Sequence, residues 1–412
     1  MQKIELDNNI ELFYNKADQK DVVNLALLLP IAQDWETVDN AGILEITADL
    51  LMKGSKKYDS IEISEWLEDH VVSFDCEIQS SDMMITIKCL TADLDKMLDI
   101  FIDGFNRPLF SENEIELWKE RTQSRFDRRS TTARYQHQIF RNGVLYGPKT
   151  RQGMILADIV AKQMQYSQVD IRVCWDKFFK VDHISLAVNG DIFSDQAVDY
   201  ARMLKSRLRK GSVTEPVHKL KIPEGNLSFS QEYKFEQVNL DINISAPDVN
   251  NPDFKVMKVI NALFNRSDGG LHKATRGTNN LAYFAYASYA TNHDYGFLRL
   301  TSQTSLENRD ELIQVLVQEL NNMMNIEISQ DEIRQVLSRN EIIRRNNISA
   351  DYLPSLILNS EADGLGYDWY AREMDELSNV TAEDIRRVAT QYFQNKAIIV
   401  SFPSEDFQRK IE

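Results

Sequence analysis

Two carboxylates, Glu45 and Asp49, stand four positions apart in residues 40–52, a segment that the sequence predicts to be a helix. Side chains at this spacing share one helix face, and carboxylate oxygens are the ligands that Mg²⁺ and Ca²⁺ prefer. Such ions usually need more oxygen ligands than two carboxylates supply. We therefore interpret the pair as a solvated helix face, with a site for a hard cation as the alternative.

The other metal-binding and nucleophilic side chains show no spacing that is typical of a site. The three cysteines, Cys76, Cys89 and Cys174, form no CxxC pair, and their odd number does not favour a disulfide framework. None of the six histidines has a metal-like spacing, and no GxSxG, Walker A or GxGxxG motif is present. These side chains predict no catalytic residue and no metal ligand on this chain.

The composition limits the classes of function. The chain has 412 residues, of which 43% are hydrophobic, enough for about two or three domains with separate cores. Its net charge of −16 would be repelled by a phosphate backbone, so no nucleic-acid partner is expected. The sequence shows no apolar run long enough to span a bilayer and no signal-peptide core at its start. We expect a cytoplasmic protein that does not insert into membranes.

The sequence contains an internal repeat. Residues 92–118 and 308–337 each show an apolar stripe at helical spacing, followed by a capping-box pattern that opens a second helix. A second matched pair opens with similar boxes at Ser167 and Thr381, 214 residues apart. These matches in register predict a duplicated domain.

The repeat and a stretch rich in Gly, Pro, Lys and Arg predict the domain boundaries. We expect a first domain at residues 1–208, a linker at 209–226 and a second domain at 227–412. In each half a strand precedes a helix. Residues 240–245 alternate between apolar and polar side chains, which predicts a half-buried strand. The pattern indicates an α+β class: two homologous sandwich domains with helices packed on one face of an antiparallel-rich sheet.

A Lys-Gly pair, Lys53-Gly54, follows the first predicted helix, and residues 106–110 read Asn-Arg-Pro-Leu-Phe. Together with the two halves of about 200 residues, these features resemble the M16 peptidase family, insulinase-like and mitochondrial-processing-peptidase-like, over essentially the whole chain. The first helix of active members carries HxxEH shortly before the Lys-Gly pair. In this sequence those positions fall on residues 45–49.

The resemblance implies that this chain cannot perform zinc proteolysis alone. Two histidines at this spacing hold Zn²⁺, and the glutamate between them deprotonates the bound water. Here Glu45 and Asp49 replace the histidines, and Ala48 replaces the base. Active members add a glutamate ligand about 75 residues further on. The corresponding residues 123–126 contain no carboxylate, and Arg125 would repel a cation. We expect no cofactor on this chain and Zn²⁺ on a partner subunit.

The resemblance assigns substrate binding to Arg276 and Tyr283. Supporting family members carry an arginine and a tyrosine seven residues apart in a segment resembling LRExxGLAY, and residues 274–283 match its ending, Leu-Ala-Tyr. Arginine offers forked, permanently charged donors and tyrosine a phenolic donor, which suit peptide carbonyls or a developing oxyanion. The alternative is that Tyr283 merely starts a strand and Arg276 is solvated.

The function that this resemblance implies is that of a non-catalytic, substrate-binding subunit. In two-subunit members the zinc motif and the Arg/Tyr pair lie on different chains, which close around an unfolded peptide. We expect a heterodimer with a zinc-bearing M16-type subunit, acting on peptides or unfolded segments, with residues 74–78 as the edge strand that holds substrate. A homodimer stays open. The alternative function is an M16-fold scaffold or peptide-binding protein without peptidase activity.

Overall fold

The chain folds into two compact units. A computed structural model describes residues 1–6, 9–17, 20–147, 150–213, 225–276, 280–293 and 295–404. The first unit comprises residues 1–127, 156–218 and 348–370, and the second comprises residues 128–155, 219–347 and 371–412.

These units are not the two continuous stretches 1–208 and 227–412. Each unit also holds a segment from the other half of the sequence, residues 348–370 in the first unit and residues 128–155 in the second. The boundaries derived from the repeat stay a prediction of where the first copy of the duplicated domain ends and the second copy begins. Most of the predicted linker, residues 214–224, lies outside the described residues.

The two sheets repeat one topology. In the described residues the strands of the first unit are β1 Gln2–Glu5, β2 Ile10–Lys16, β3 Val22–Leu29, β4 Ser73–Ile78, β5 Met83–Leu90 and β6 Ile184–Gly190. Those of the second unit are β7 Leu227–Tyr233, β8 Val238–Ala246, β9 Phe284–Thr291, β10 Gly296–Thr304 and β11 Ala397–Pro403. The first order is β1-β2-β6-β3-β5-β4 and the second is β7-β11-β8-β10-β9.

Strand directions match as well. The only parallel neighbours among these strands are β2 with β6 and β7 with β11, which occupy corresponding places. Apart from β1, each strand of the first sheet has a counterpart in the second. The α+β class and the internal duplication are therefore confirmed.

Helices surround both sheets. They are α1 Ile43–Asp49, α2 Ser60–Asp69, α3 Leu94–Asn106, α4 Glu112–Ser130, α5 Ala133–Tyr146, α6 Leu156–Gln165, α7 Gln168–Phe178, α8 Ser194–Arg207, α9 Phe254–Phe264, α10 Gly270–Arg276, α11 Arg309–Met324, α12 Gln330–Asn347, α13 Leu353–Ala362, α14 Trp369–Leu377 and α15 Ala382–Tyr392. Within the described residues, none of them combines the length and apolar character needed to cross a membrane.

The main core of each unit lies on one face of its sheet. In the first unit, alternate residues of β3, such as Leu25 and Leu27, belong to the same buried cluster as Phe101 of α3. In the second unit, Leu240 and Ile242 of β8 belong to a cluster with the helices α9, α11 and α15. Period-2 alternation in the strands and a 3.6-residue stripe in the helices account for these cores.

The opposite face of each sheet is covered too, which corrects the expectation of helices on one face only. In the first unit, α13 packs on β3 and β6. In the second unit, α5 packs on β7, β8 and β11. The half-buried assignment of β8 was therefore wrong, because α5 covers the polar side chains Asn239, Asp241 and Asn243 and leaves them at most 6% exposed.

The repeated capping boxes are present in both units. The Ser167 hydroxyl accepts the N–H of Asp170 at the start of α7, and the Thr381 hydroxyl accepts the N–H of Asp384 at the start of α15. Each aspartate in turn accepts the N–H of its own cap residue. The sequence pattern therefore fixes where both helices begin.

Replacing Thr381 by alanine is expected to lower the free energy of unfolding by about 1 kcal/mol, because the Asp384 N–H loses the hydroxyl that accepts it at 3.2 Å. Urea unfolding followed by circular dichroism measures the change. The control Thr381→Ser keeps the hydroxyl and is expected to stay within about 0.5 kcal/mol of the wild type. Equal losses in both variants would contradict the cap.

Candidate functional site

Helix α1 is anchored at its first turn by a buried carboxylate. Glu36 is 1% exposed and accepts the backbone N–H groups of Gly42 and Leu44, each at 2.9 Å. A carboxylate at this end satisfies free N–H groups and favours the helix dipole. Gly42 has a φ of 81°, in the left-handed region that glycine adopts without strain. These contacts fix the position of the face that carries Glu45 and Asp49.

Both carboxylates of that face have directed hydrogen-bond donors. Gln163 Nε2 of α6 donates to Glu45 Oε2 at 2.9 Å. Trp118 Nε1 of α4 donates to Asp49 Oδ2 at 2.7 Å. Glu45 keeps exposed surface, as a solvated face requires, whereas Asp49 is half-buried. The pair is thus held by neighbouring helices and is only partly solvated.

The surroundings of the two carboxylates favour their neutral forms. Desolvation, with the nearby charge of Asp49, raises the pKa of Glu45. Burial raises the pKa of Asp49 although the Trp118 hydrogen bond opposes that shift. The pair thus carries an electrostatic cost when it is ionised.

The remaining positions of the motif add no chemistry. Ala48 is buried and has no group that accepts a proton. Arg125 lies close enough for its charge to oppose the pKa shifts of both carboxylates, and its Nη2 donates to the Thr122 hydroxyl at 3.0 Å. Among the described residues, no group of three or more His, Cys, Asp or Glu side chains is arranged to hold a metal ion. Arg125 is thus a cation within electrostatic reach of both Glu45 and Asp49.

An edge strand lies beside this acidic pair. Strand β4 is the last strand of the first sheet and contacts α1, so the stretch 74–78 is an edge strand as expected. Ser73, Asp75 and Glu77 are exposed and alternate with half-buried neighbours. The charge of Asp75 contributes to the raised pKa of Asp49, after burial, which places the strand within electrostatic reach of the pair.

Arg276 and Tyr283 both lie in the second unit, seven residues apart in the sequence. Arg276 is the last residue of α10 and is exposed. Residues 277–279 lie outside the described part of the chain. The Leu281 N–H donates to the Thr275 carbonyl at 2.9 Å, and the Tyr283 N–H donates to the Gln303 carbonyl at 2.9 Å. Tyr283 is 58% exposed and directly precedes the edge strand β9. Both side chains are thus accessible, and their binding function stays a prediction.

Sequence reasoning missed a buried polar network in the second unit. Asp241 of β8 is fully buried and accepts hydrogen bonds from Arg141 Nη1 at 2.9 Å and Thr301 Oγ1 at 2.6 Å. His137 Nε2 lies 3.3 Å from its carboxylate. Asp241 was visible as a polar position in an apolar strand, but its partners in α5 lie about 100 residues earlier, beyond any local pattern.

Two family models match the chain. "Insulinase (Peptidase family M16)" matches residues 12–144, and "Peptidase M16 inactive domain" matches residues 167–340. A comparison with curated proteins finds no match.

Solved structures share the fold. A peptidase M16 inactive domain from Pseudomonas fluorescens superposes with a TM-score of 0.85 at 14% identity, covering 98% of both chains. A protease from Helicobacter pylori gives 0.82 at 14% identity, covering 98% of this chain and 99% of that one. The periplasmic protease PqqL from Escherichia coli gives 0.77 at 14% identity, covering 98% of this chain but 45% of PqqL.

Replacing Glu45 by glutamine is expected to raise the melting temperature at about pH 7 and to have no such effect at about pH 3.5. Because the folded-state pKa is raised, the contribution of Glu45 to stability is largest below its ordinary value of 4.5 and is lost as the pH rises through the folded-state value. The glutamine oxygen still accepts from Gln163 and carries no charge.

Thermal unfolding at the two pH values provides the measurement, and Glu65→Gln, at an exposed position of α2, is the matched control. A Glu45→Gln variant that is less stable than wild type at neutral pH would contradict the electrostatic cost. So would an equal gain in the control.

Proposed function

Since the chain belongs to the M16 peptidase family, we propose that it is the non-catalytic, substrate-binding subunit of a heterodimeric zinc endopeptidase that acts on peptides or unfolded segments. The observation that carries this proposal is an exposed Arg276 and Tyr283 on a chain whose zinc positions hold Glu45, Ala48 and Asp49. Such a chain has side chains that can bind a peptide substrate, and at its zinc positions it lacks the side chains that bind and use zinc.

The missing chemistry must come from a second chain. A catalytic zinc site needs three protein ligands and a base that activates the bound water. Here Trp118 and Gln163 donate to the carboxylates of α1, and Ala48 provides no base. We propose that a zinc-bearing M16-type subunit supplies these groups and that this chain binds no cofactor.

Chain length supports a two-chain assembly. PqqL is a periplasmic protease, and this chain spans 45% of it. Two chains of this size would together match its length. The compartment that we propose for this chain stays the cytoplasm, which suits its three free cysteines.

Strand β4 offers a second contact with substrate. An edge strand presents unpaired N–H and C=O groups to which an extended peptide adds as a further strand. The exposed carboxylates of Asp75 and Glu77, together with the neighbouring acidic pair, give this edge negative charge. We propose that it binds the substrate backbone and favours peptides with basic side chains.

We propose that the side chains of Arg276 and Tyr283 donate further hydrogen bonds to the substrate. The guanidinium group offers several donors in a fixed plane, and the phenol offers one donor on a rigid ring. Donors of this kind suit peptide carbonyls, and the phenol suits the oxyanion that forms when a carbonyl is attacked. The second candidate function is that of a scaffold without a peptidase partner. The hydrogen bonds of the α1 carboxylates favour it, because these bonds form without a substrate.

We expect peptide cleavage only when this chain is mixed with a zinc-bearing M16 partner. In that mixture, Arg276→Ala or Tyr283→Phe is expected to lower kcat/KM about tenfold or more, because each variant loses a charged or phenolic donor. A fluorogenic peptide assay measures the rates. Lys273→Ala, an exposed cation on the same helix, is the control and should leave the rate unchanged. No gain over the partner alone would favour the scaffold.

Strand addition at β4 predicts a register-specific effect of backbone methylation. Only alternate amides of an added strand face β4, so N-methylation of one alternate set should weaken inhibition by a substrate peptide about tenfold or more, and methylation of the other set should not. Inhibition constants of the two methylated peptides provide the measurement. Equal weakening by both sets would argue for side-chain recognition.

A further inference from the structure

The second unit contains an open cavity that the proposed function does not use. Its volume is about 680 Å³, within the range of small-molecule sites. It lies between α5 and the sheet face formed by β8, β10 and β9. Tyr283 and Arg276 are not among the residues that line it.

The charge of the lining is opposite to that of the chain. Against a net charge of −16, the cavity is lined by three arginines, Arg134, Arg141 and Arg299, and by one carboxylate, Asp241. His137 also lines it. A concave surface with an excess of guanidinium groups attracts an anion.

Buried contacts hold two of these arginines in place. Arg141 donates to the fully buried Asp241, as described above. Arg299 Nε donates to the Asn243 amide oxygen at 2.8 Å, and its guanidinium lies 4.7 Å from the centre of the Phe297 ring. Within the described residues no carboxylate lies within ion-pair distance of Arg299, although the charge of Asp241 acts on it. Three arginines and one carboxylate leave the lining with an excess of positive charge.

Burial and neighbouring charges shift the pKa values of both Arg299 and Asp241. Burial and the charge of Arg141 lower the pKa of Arg299. Burial raises the pKa of Asp241, but contacts with His137 and the charges of Arg141 and Arg299 outweigh this and bring the pKa below its ordinary value. Asp241, the one carboxylate of the lining, is therefore ionised and already contacts Arg141. One carboxylate does not balance the charges of three arginines.

The duplicated fold shows that these charges are not needed to close the sheet. In the first unit, Ala26 and Leu28 of β3 occupy the face that corresponds to Asp241 and Asn243 of β8. There the helix α13 closes the face with an apolar cluster that includes Ile357. Burying charge is costlier than burying apolar side chains, so the polar lining points to a ligand.

The rim provides a flat apolar surface. Phe284 and Tyr286 stand on the cavity side of the edge strand β9, with ring centres 5.8 Å apart and an interplanar angle of 29°. They are 40% and 38% exposed. Exposed stacked rings beside a cationic cavity suit a ligand that carries a ring next to its charge.

We propose that this cavity binds a small organic oxyanion, a phosphate or carboxylate attached to a planar ring. Arg141, Arg299 and Arg134 bind the charged group in the geometry that guanidinium groups share with carboxylate and phosphate. Phe284 and Tyr286 contact the ring. The cavity lining does not include Arg276 or Tyr283, so anion binding is tested separately from the proposed function.

Calorimetric titration of the full chain with phenyl phosphate and with benzoate tests the proposal. Benzyl alcohol, which has the ring without the charge, and inorganic phosphate, which has the charge without the ring, are the matched controls. At least one ring-bearing anion is expected to bind one equivalent at least about tenfold tighter than either control. The tighter of the two anions identifies phosphate or carboxylate. No binding by either anion, or equal binding by a control, would overturn the proposal.

Two variants connect binding with the cavity. Arg299→Gln and Arg134→Gln are each expected to weaken the bound anion at least about tenfold. Arg134 is exposed, so its replacement tests the site even if Arg299→Gln fails to fold. Arg202→Gln, an exposed arginine of α8 outside the cavity, makes the same charge change and should leave affinity unchanged. Unchanged affinity in the Arg134 variant, or equal loss in the Arg202 control, would overturn the assignment.

Discussion

The central strands β3 and β8 are buried on both faces, and this constraint organises the whole chain. A strand of this kind needs a helical layer on each side of its sheet. In each unit several helices form one layer, and one helix from the other half of the sequence, α13 or α5, provides the second. The arginine-lined cavity lies within this second layer, between α5 and its sheet.

The sequence predicts those parts of the fold that rest on local patterns. The boxes at Ser167 and Thr381 require residues three positions apart, and the stripe of α3 needs only one helix, so both are readable from the chain. The cover of Asp241 by α5 depends on residues about 100 positions away in the sequence. Local periodicity therefore does not predict it. The resemblance located the positions of the candidate site, and the structure added the partners of their side chains.

The face of α1 that carries Glu45 and Asp49 is held by contacts within the first unit. Its two carboxylates accept hydrogen bonds from Trp118 and Gln163, and Arg125 offsets their charge. The two hydrogen bonds each satisfy one carboxylate oxygen, and Arg125 acts through its charge alone. Desolvation at this face raises the pKa of both acids.

The exchange of helices has a consequence for synthesis on the ribosome. Domains generally fold as units in the order in which they are made. The first sheet is complete in sequence once β6 has been made, but its cover, α13, begins at Leu353, more than 150 residues later. Until that helix emerges, Phe13 and Leu28 have no apolar partner from α13, so the first unit cannot complete its cover before residue 362 has been made. Completion of the first unit thus requires synthesis of most of the sequence that forms the second unit.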